Sequence, residues 1–375
     1  MKKTVFFLFV SFLTVIFSCG NINSENKKET SSNQGAPDIN HPKQQKNEIP
    51  KERITVIGVG DIMLGSNYPE KYLLPRNDTN ILKSTESILR EADITVGNLE
   101  GTLFDSGGSP KQCNNPSVCY VFRSPSKYGT YFKEAGFDYL SIANNHSNDF
   151  GDEGIEQTAK NLDQLGIKYS GIKGKFEYST LERDGVKYGF VSFAPNMKTV
   201  SINDYDYASK LIKSVKEKSD ILIVMFHGGA EGAKYEHVTR KNEIFYGENR
   251  GNVFKFARMA VDSGADIVFG QGPHVTRAIE LYKEKFISYS GGNFATFGKF
   301  NLNGPSGIAP IFKITLNGRG DFVEGEIIPT RQFKGSFGPS VDSDNLVIKR
   351  IIYLNKADFP EGNGLNVSDD GKITK

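Results

Sequence analysis

The stretch of this sequence richest in groups able to bind a cation or move a proton is SIANNHSNDFGDEGI, residues 141–155. It places Asn144, Asn145, His146 and Asp149 in one turn, directly after the apolar run FDYLSI. Amide, imidazole and carboxylate groups together suit Mn, Fe, Zn or Mg rather than a soft metal. A turn so crowded with these groups predicts one wall of a metal site.

Other apolar runs of the sequence end in the same way. Six runs, ITVIGVGD, ADITVGNLE, FDYLSIANNH, DILIVMFHGG, ADIVFGQGPH and KFISYSGGNF, each stop at Gly, Asn, Asp or His. Buried parallel strands have this composition, and in open α/β sheets ligands bind beyond their carboxyl ends. The polar residues at these ends are Asp61, Asn98, Glu100, Asn144, Asn145, His146, Asp149, His227, Glu231, His274 and Asn293. His41 and His237, in contrast, fall in polar segments away from the runs.

Hard and borderline ligands arriving from several strands are typical of a two-metal phosphoesterase, in which the cations clamp an ester and lower the pKa of a bound water. His146 is the natural proton donor to a leaving oxygen, because Asn145 beside it could hold metal. We expect Asp149 to orient a neighbour or cap the following helix. Three of these residues have an alternative structural explanation. Asn98 and Asn293 could form turns, and Glu100 could be a solvated charge.

The elements that must position these groups alternate along the chain. Segments with helical patterns, residues 80–92, 152–166, 207–220 and 252–264, lie between the runs. Strands alternating with helices predict an α/β layered domain. Two stretches predict hairpins, one turning at Asp184–Gly185 and one at NGRGD, residues 317–321.

The ordered motifs GDIMLG, GNLEG, ANNHSNDFG, FHGGAEG, GPHV and YSGGNF resemble those of the bacterial CapA family, the capsule synthesis and poly-γ-glutamate biosynthesis proteins. The likeness spans about residues 53–300. This family is similar in turn to calcineurin-like metallophosphoesterases. The resemblance therefore implies a four-layered α/β/β/α sandwich with mixed sheets, and a site that holds one or two divalent metal ions.

Carried over residue by residue, the resemblance implies catalytic roles for two residues and metal ligation by five. His146 and Asp149 are the catalytic pair, and the ligands are Asp61, Glu100, Asn145, His227 and His274. Residues expected beside the ligands are Asn98, Asn144, Glu231, Gln271 and Asn293. The chain departs from the classical pattern at Met63 and at Gln271, where histidines are usual. GNLE also replaces a Gly-Asp pair, so the bridging carboxylate comes from Glu100 or is lost at Asn98.

The N-terminal residues predict export and anchoring, and the cysteines support export. Residues 1–19 combine a basic start, a short apolar run and Cys19, like a lipoprotein signal whose cysteine receives the lipid; an ordinary signal or uncleaved anchor is the alternative. Residues 20–52 are polar and predict a disordered linker. Cys113 and Cys119 predict a loop disulfide in an oxidising compartment, with free thiols as the alternative. The folded domain is expected over residues 53–355, followed by a loose tail over 356–375.

Two function classes remain open at this point. The first is an exported, metal-dependent hydrolase of a phosphoester or envelope polymer in capsule or poly-γ-glutamate metabolism. The second is a non-catalytic protein of the same fold that binds the anionic polymer or the capsule synthesis machinery. A net charge of +2, with 46 basic and 44 acidic residues, and the lack of any nucleic-acid motif argue against DNA or RNA partners.

Overall fold

The computed structural model describes residues 51–69, 71–75, 79–112 and 119–375. In this part of the chain the helices are α1 (Glu86–Leu89), α2 (Gly129–Glu134), α3 (Gly151–Leu165), α4 (Tyr205–Lys216), α5 (Val253–Asp262) and α6 (Leu346–Asp358). The strands of the first half are β1 (Arg53–Met63), β2 (Ile94–Leu99), β3 (Thr102–Leu103), β4 (Arg123–Ser124), β5 (Tyr139–Ser141), β6 (Lys168–Ser170), β7 (Tyr178–Arg183) and β8 (Val186–Phe193). Those of the second half are β9 (Ile221–His227), β10 (Ile244–Phe245), β11 (Glu248–Asn249), β12 (Ile267–Gln271), β13 (Ile279–Tyr282), β14 (Lys285–Ser288), β15 (Asn293–Thr296), β16 (Ile308–Asn317), β17 (Phe322–Arg331), β18 (Ser340–Val341), β19 (Asn366–Val367) and β20 (Lys372–Thr374).

The larger sheet is mixed and runs in the order β19-β20-β17-β16-β1-β2-β5-β6, with β15 also paired to β1 and β18 to β17. Strands β1, β2, β5 and β6 are parallel, so their carboxyl ends meet at one edge. The predicted hairpin of β16 and β17 pairs antiparallel and turns over residues 317–321, which confirms that prediction.

The smaller sheet runs in the order β13-β14-β12-β9-β8-β7. Its central strands β8, β9, β12 and β14 are parallel. The edge hairpin of β7 and β8 turns at Asp184 and Gly185, both with positive φ, as the Asp-Gly pair predicted. The smaller sheet therefore has a parallel centre with antiparallel edge strands, whereas the parallel strands of the larger sheet form one side of it, out to the edge strand β6.

The two sheets pack face to face over one shared apolar core. That core joins Val56 and Tyr139 of the larger sheet to Phe190, Met225 and Phe269 of the smaller one. On the outer faces, α2 and α3 pack against the larger sheet, and α4 and α5 pack against the smaller one. The order helix, sheet, sheet, helix confirms the predicted four-layered α/β/β/α sandwich.

The chain crosses from one sheet to the other directly beside β1. β14 belongs to the smaller sheet, whereas β15 pairs with β1 of the larger sheet. Between them the backbone passes so close to Gly60 that a Cβ added there would lie 2.0 Å from the Gly292 carbonyl oxygen. Only glycine fits at Gly60 without moving the backbone. The crossing brings the strand ends of both sheets to the same place.

The structure differs from the prediction in three elements. The helix expected over residues 80–92 is the short α1, because residues 81–85 form turns instead. Helix α6 was not expected; its first amide, at Leu346, donates to the Asp342 carboxylate at 3.1 Å, four residues earlier rather than at the usual cap position. The tail expected to be loose carries β19 and β20, and β20 pairs with β17 while burying Ile373.

The predictions for residues 1–50, including the signal, Cys19 and most of the linker, lie outside the described residues. Among the residues that the structure describes, no helix combines the length and apolar composition needed to cross a membrane.

Candidate metal centre

The site is built around Asp61, a fully buried carboxylate at the carboxyl end of β1. In the larger sheet Asp61 stands opposite Asn98 of β2 on one side and Asn293 of β15 on the other. The Asn98 side-chain amide donates to Asp61 Oδ1 at 2.8 Å. This hydrogen bond fixes one carboxylate oxygen and leaves Oδ2 directed at other groups.

A second carboxylate and a histidine approach Asp61 from the loops that follow β2 and β12. His274 Nδ1 lies 3.0 Å from Asp61 Oδ2, without hydrogen-bond geometry, and His274 Nε2 lies 3.4 Å from Glu100 Oε1. One ligand atom from each of the three residues lies within 4.8 Å of the others. His274 adopts φ +57°, a left-handed conformation that a non-glycine residue adopts only when its surroundings enforce it.

The smaller sheet contributes His227 and Gln271, which stand opposite each other in β9 and β12. His227 Nδ1 lies 3.4 Å from Asn98 Nδ2 and 3.9 Å from Asp61 Oδ1, while its Nε2 is buried without a partner. The Gln271 amide nitrogen donates to the Val59 carbonyl of β1 at 2.8 Å. Gln271 thus joins the two sheets beside the site and leaves only its buried Oε1 unpartnered.

His146 forms the other wall, together with Asp149 and Lys111. His146 Nδ1 lies 2.8 Å from Asp149 Oδ2, and Lys111 Nζ lies 2.6 Å from Asp149 Oδ1. The Phe122 amide also donates to Asp149 Oδ2, at 2.7 Å. With Nδ1 held by a buried carboxylate, Nε2 is directed towards Glu100, 3.9 Å away. Asp149 therefore orients His146, as the sequence predicted for a neighbour.

Burial and mutual proximity strongly shift the protonation of these groups. Burial raises the pKa of Glu100 well above its usual value, with the charges of Asp61 and Glu231 acting in the same direction. Burial alone would lower the pKa of His274, but Glu100 and Asp61 outweigh it and raise that pKa to about 10. Burial lowers the pKa of His227 to about 3, and also lowers that of His146.

Asp61 behaves in the opposite way to Glu100. Burial opposes its ionisation, yet His274, His227 and the hydrogen bond from Asn98 together lower its pKa below the usual value. Asp61 is therefore the carboxylate already ionised in the centre, and Glu100 is the one that burial disfavours as an anion.

The unpartnered polar atoms of the centre fit a bound divalent cation. Asp61 Oδ2, both carboxylate oxygens of Glu100 and His227 Nε2 are buried without a hydrogen-bond partner. Buried acceptors of this kind are costly unless a ligand satisfies them. Oxygen and imidazole nitrogen donors together match the Mn, Fe, Zn or Mg class predicted from sequence.

A cleft of about 220 Å³ opens above the centre. Glu100, His146 and His274 form its polar floor, and Phe122 and Phe300 cover it. The Phe122 ring packs on the His146 ring at 4.4 Å and on the Phe300 ring at 5.4 Å. Phe300 in turn contacts the His274 ring edge-on at 5.5 Å. These rings cover part of both histidine rings and give the cleft an apolar wall.

Glu231 enters the cleft from the loop between β9 and α5. Its carboxylate forms an ion pair with Arg250 at 2.9 Å, and His274 Nε2 lies 3.9 Å away. The loop is held by the fully buried Arg277, whose guanidinium makes two parallel bonds to Glu243 at 2.8 and 2.7 Å. The Glu243 carboxylate also accepts from the Ala230 amide at 2.8 Å, beside Glu231.

The remaining predicted residues take separate places. Asn144 donates to the Leu99 carbonyl at 2.8 Å and to Asn98 Oδ1 at 3.3 Å, so it braces the turn behind the site. Asn293 lies against the cleft and donates to the Ser306 carbonyl at 3.1 Å. Asn145 has a buried, unpartnered Oδ1, as a ligand would.

Sequence reasoning missed the residues that surround the predicted ones. Lys111, Phe122, Phe300 and Arg250 all contact the site, yet none stands at the end of an apolar run. Tertiary folding brings them to the site from other parts of the chain. Cys119 itself is disulfide-bonded, while its predicted partner Cys113 lies outside the described residues, so the pairing stays a prediction.

Comparisons with known proteins find related sequences. A family model described as "Bacterial capsule synthesis protein PGA_cap" matches residues 55–297. The PGA biosynthesis protein CapA of Bacillus subtilis (strain 168) is 29% identical over 332 residues, 84% of this chain and 80% of that protein. The capsule biosynthesis protein CapA of Bacillus anthracis is 26% identical over 263 residues, 65% of this chain and 60% of that protein.

Similarity among solved structures is weaker. A hypothetical protein from Thermus thermophilus aligns with TM-score 0.46 and 17% identity, over 75% of this chain and all of that one. The fold described above follows from the strands themselves and does not depend on this likeness.

Proposed function

Because the chain belongs to the bacterial capsule synthesis protein family, as its resemblance to CapA predicted, we propose that it is a metal-dependent hydrolase acting on a phosphoester or on the envelope polymer of capsule or poly-γ-glutamate metabolism. The observation that carries the proposal is the set of buried, unpartnered acceptors on Asp61, Glu100 and His227 beside an oriented His146. A binding protein with no bound cation has no need for such a set.

In this proposal Asp61, Glu100, His227 and His274 hold the cation, and Asn145 Oδ1 is the further ligand expected from sequence. When bound, the cation polarises the ester and lowers the pKa of a water molecule. Asp149 holds His146 Nδ1, so that Nε2 faces the cleft and, in the protonated ring, can give its proton to the leaving oxygen. Phe122 and Phe300 keep bulk water from the histidines, and Glu231 lies at the substrate side of His274.

We also propose that the protein works in the cell envelope, held by a lipid on Cys19 after removal of the signal. The folded domain over residues 53–355 then reaches the polymer through the linker of residues 20–52. The capsule synthesis machinery is its expected partner. Labelling of the cells with a fatty-acid analogue, compared with Cys19→Ala, tests the anchor: labelled variant protein would contradict it.

The cation is tested first, by elemental mass spectrometry of the purified protein after growth with added metals. We expect one or two equivalents of Mn, Fe or Zn, lost in Glu100→Gln and His227→Ala. His237→Ala is the matched control, since His237 pairs with Asp358 outside the site and its loss leaves the centre untouched. Metal-free wild-type protein after supplementation would sink the hydrolase mechanism.

Activity is tested next on a panel of phosphomonoesters, phosphodiesters, nucleotides and γ-glutamyl polymers. We expect His146→Ala to keep its metal and to lose about 100-fold or more of the hydrolysis rate, the size of a general acid's contribution. Hydrolysis by His146→Ala at the wild-type rate would remove that residue from the mechanism.

A non-catalytic binding protein is the second candidate, and two residues favour it. Met63 stands where classical phosphoesterases have a histidine, and its sulfur accepts from the Gly65 amide at 3.2 Å. Gln271 donates to Val59 across the sheets instead of offering an imidazole. Both substitutions reduce the ligands available to a second cation. Stoichiometric polymer binding without metal or hydrolysis would select this candidate.

A further inference from the structure

A groove of about 730 Å³ adjoins the cleft through the loop that follows Asn301. Its walls are the loop 302–308, the end of β17 and the first turns of α6. The loop is a shared wall, because Asn301 and Ser306 line the cleft while Asn303 and Pro305 line the groove. A chain passing over this loop would reach from the groove to the metal centre.

All charged residues that line the groove are basic: Arg331, Lys349 and Arg350. Arg350 is paired with Glu236, and Arg331 approaches Asp344 at 3.6 Å. Lys349 makes no ion pair in the part of the chain described here; its Nζ donates to the Asp344 carbonyl at 2.9 Å. Three basic side chains of the groove therefore face two carboxylate partners. The excess of one positive charge gives the groove wall a positive potential.

Apolar side chains flank these cations and are unusually exposed. Phe333 is 56% exposed and Tyr353 52% exposed, and Leu346 at the start of α6 is 37% exposed. The Arg350 guanidinium lies over the Tyr353 ring at 5.0 Å, which holds it flat against the groove wall. Cations spaced between apolar patches suit a flexible chain with regular acidic groups on methylene linkers, rather than a single small anion.

We propose that this groove is a binding subsite for an extended poly-γ-glutamate chain, distinct from the metal centre and leading into it. The γ-linked chain matches the wall chemically: its carboxylates meet Arg331 and Lys349, and its methylene backbone packs on Phe333 and Tyr353. The assignment of this polymer rests on the proposed function. The subsite gives the protein a preference for long chains over short ones, because a short chain held at the centre does not reach the groove.

The test uses the double variant Arg331→Gln/Lys349→Gln of the purified full chain. Both residues are exposed, so their loss leaves no buried group unpaired. The matched control is Arg319→Gln/Lys356→Gln, which removes the same charge from the opposite end of the β16–β17 hairpin and from the last turn of α6. Binding of fluorescent poly-γ-glutamate, long chains and a glutamyl trimer, is measured by anisotropy at low and high salt.

We expect the groove variant to bind the long chain about tenfold more weakly than wild type at low salt, with the trimer unaffected and the control unchanged. Equal weakening in the control would overturn the proposal, because any positive surface would then serve. Equal loss of polyphosphate of matched charge would also overturn it, since the groove would then be a general polyanion site.

Metal content and hydrolysis of a small phosphodiester, measured on the same samples, separate this proposal from the proposed function. If wild-type protein lacks metal but binds the long chain through Arg331 and Lys349, the groove proposal stands and the hydrolase proposal is contradicted. If the protein holds metal and hydrolyses the reporter, and the groove variant binds the long chain as well as wild type does, only the groove proposal is contradicted.

Discussion

At the residue scale, the centre combines two carboxylates with opposite behaviour. Asp61 is ionised because His274, His227 and Asn98 face it, whereas Glu100 is buried with neither oxygen hydrogen-bonded. The pKa of Glu100 is raised and that of His274 is raised to about 10, so the pair carries a proton at neutral pH, which a cation must displace.

We predict that cation binding at neutral pH releases at least one proton from the Glu100–His274 pair. Both groups have raised pKa values and both must be unprotonated to ligate, so affinity falls as pH falls and rises about tenfold per pH unit for each proton released. Calorimetric titration with Mn²⁺ in two buffers of different ionisation enthalpy counts the protons. Equal heats in both buffers would contradict the protonated pair.

At the element scale, the loop between β9 and α5 depends on one buried ion pair. Arg277 follows β12 and reaches Glu243, the Tyr235 carbonyl and, more distantly, the Ala230 carbonyl, so it fixes the loop that carries Glu231. A Cβ added at Gly229 would lie 2.9 Å from this guanidinium, which shows how tightly the loop closes over it.

We predict that Arg277→Met destabilises the protein by about 3–5 kcal/mol, because the Glu243 carboxylate is left buried without its counter-charge. The double variant Arg277→Met/Glu243→Met should recover part of that loss, since neither charge then remains. Urea unfolding of the single and double variants measures both. A single variant as stable as wild type would show that the pair contributes nothing to the loop.

The parts of these elements that the sequence predicted are those with continuous apolar runs. Strands β1, β2, β9 and β12 are buried throughout most of their length, and Asp61 near the end of β1 lies 3.9 Å from His227 at the end of β9. The start of α6 carries no cap signal, because Asn345 at the N-cap makes no side-chain capping bond and Asp342 accepts from the Leu346 amide instead. Periodicity also could not predict that Lys111 and Phe122 meet Asp149, since that contact depends on how distant segments fold together.

At the scale of the whole molecule, the C-terminal residues complete the edge of the larger sheet. Ile373 of β20 stands opposite Gly325 of β17 and belongs to the core between the sheets. A Gly-rich segment with so few apolar residues resembles a loose tail in sequence. Its buried positions become recognisable only when the partner strand is known.

We predict that Ile373→Ala costs about 2–5 kcal/mol, the usual range for emptying a buried isoleucine site. Thr374→Ala, the exposed neighbour on the same strand, is the control and should change stability by less than about 0.5 kcal/mol. Thermal unfolding of both variants decides the point. A thermal midpoint of Ile373→Ala equal to that of Thr374→Ala would mean that the C-terminal strand adds nothing to the stability of the folded domain.

The crossing from β14 to β15 has a consequence for the order of events along the folding pathway. Asp61 lies in β1 and Glu100 follows β2 of the larger sheet, whereas His227 is the last residue of β9 and His274 follows β12 of the smaller sheet. A chain in which only one sheet has formed carries half of these groups and cannot hold a cation with all four. We predict that a cation held by all four groups binds only after the sheets have associated, so that it lengthens the lifetime of the native state and leaves the speed of its formation unchanged.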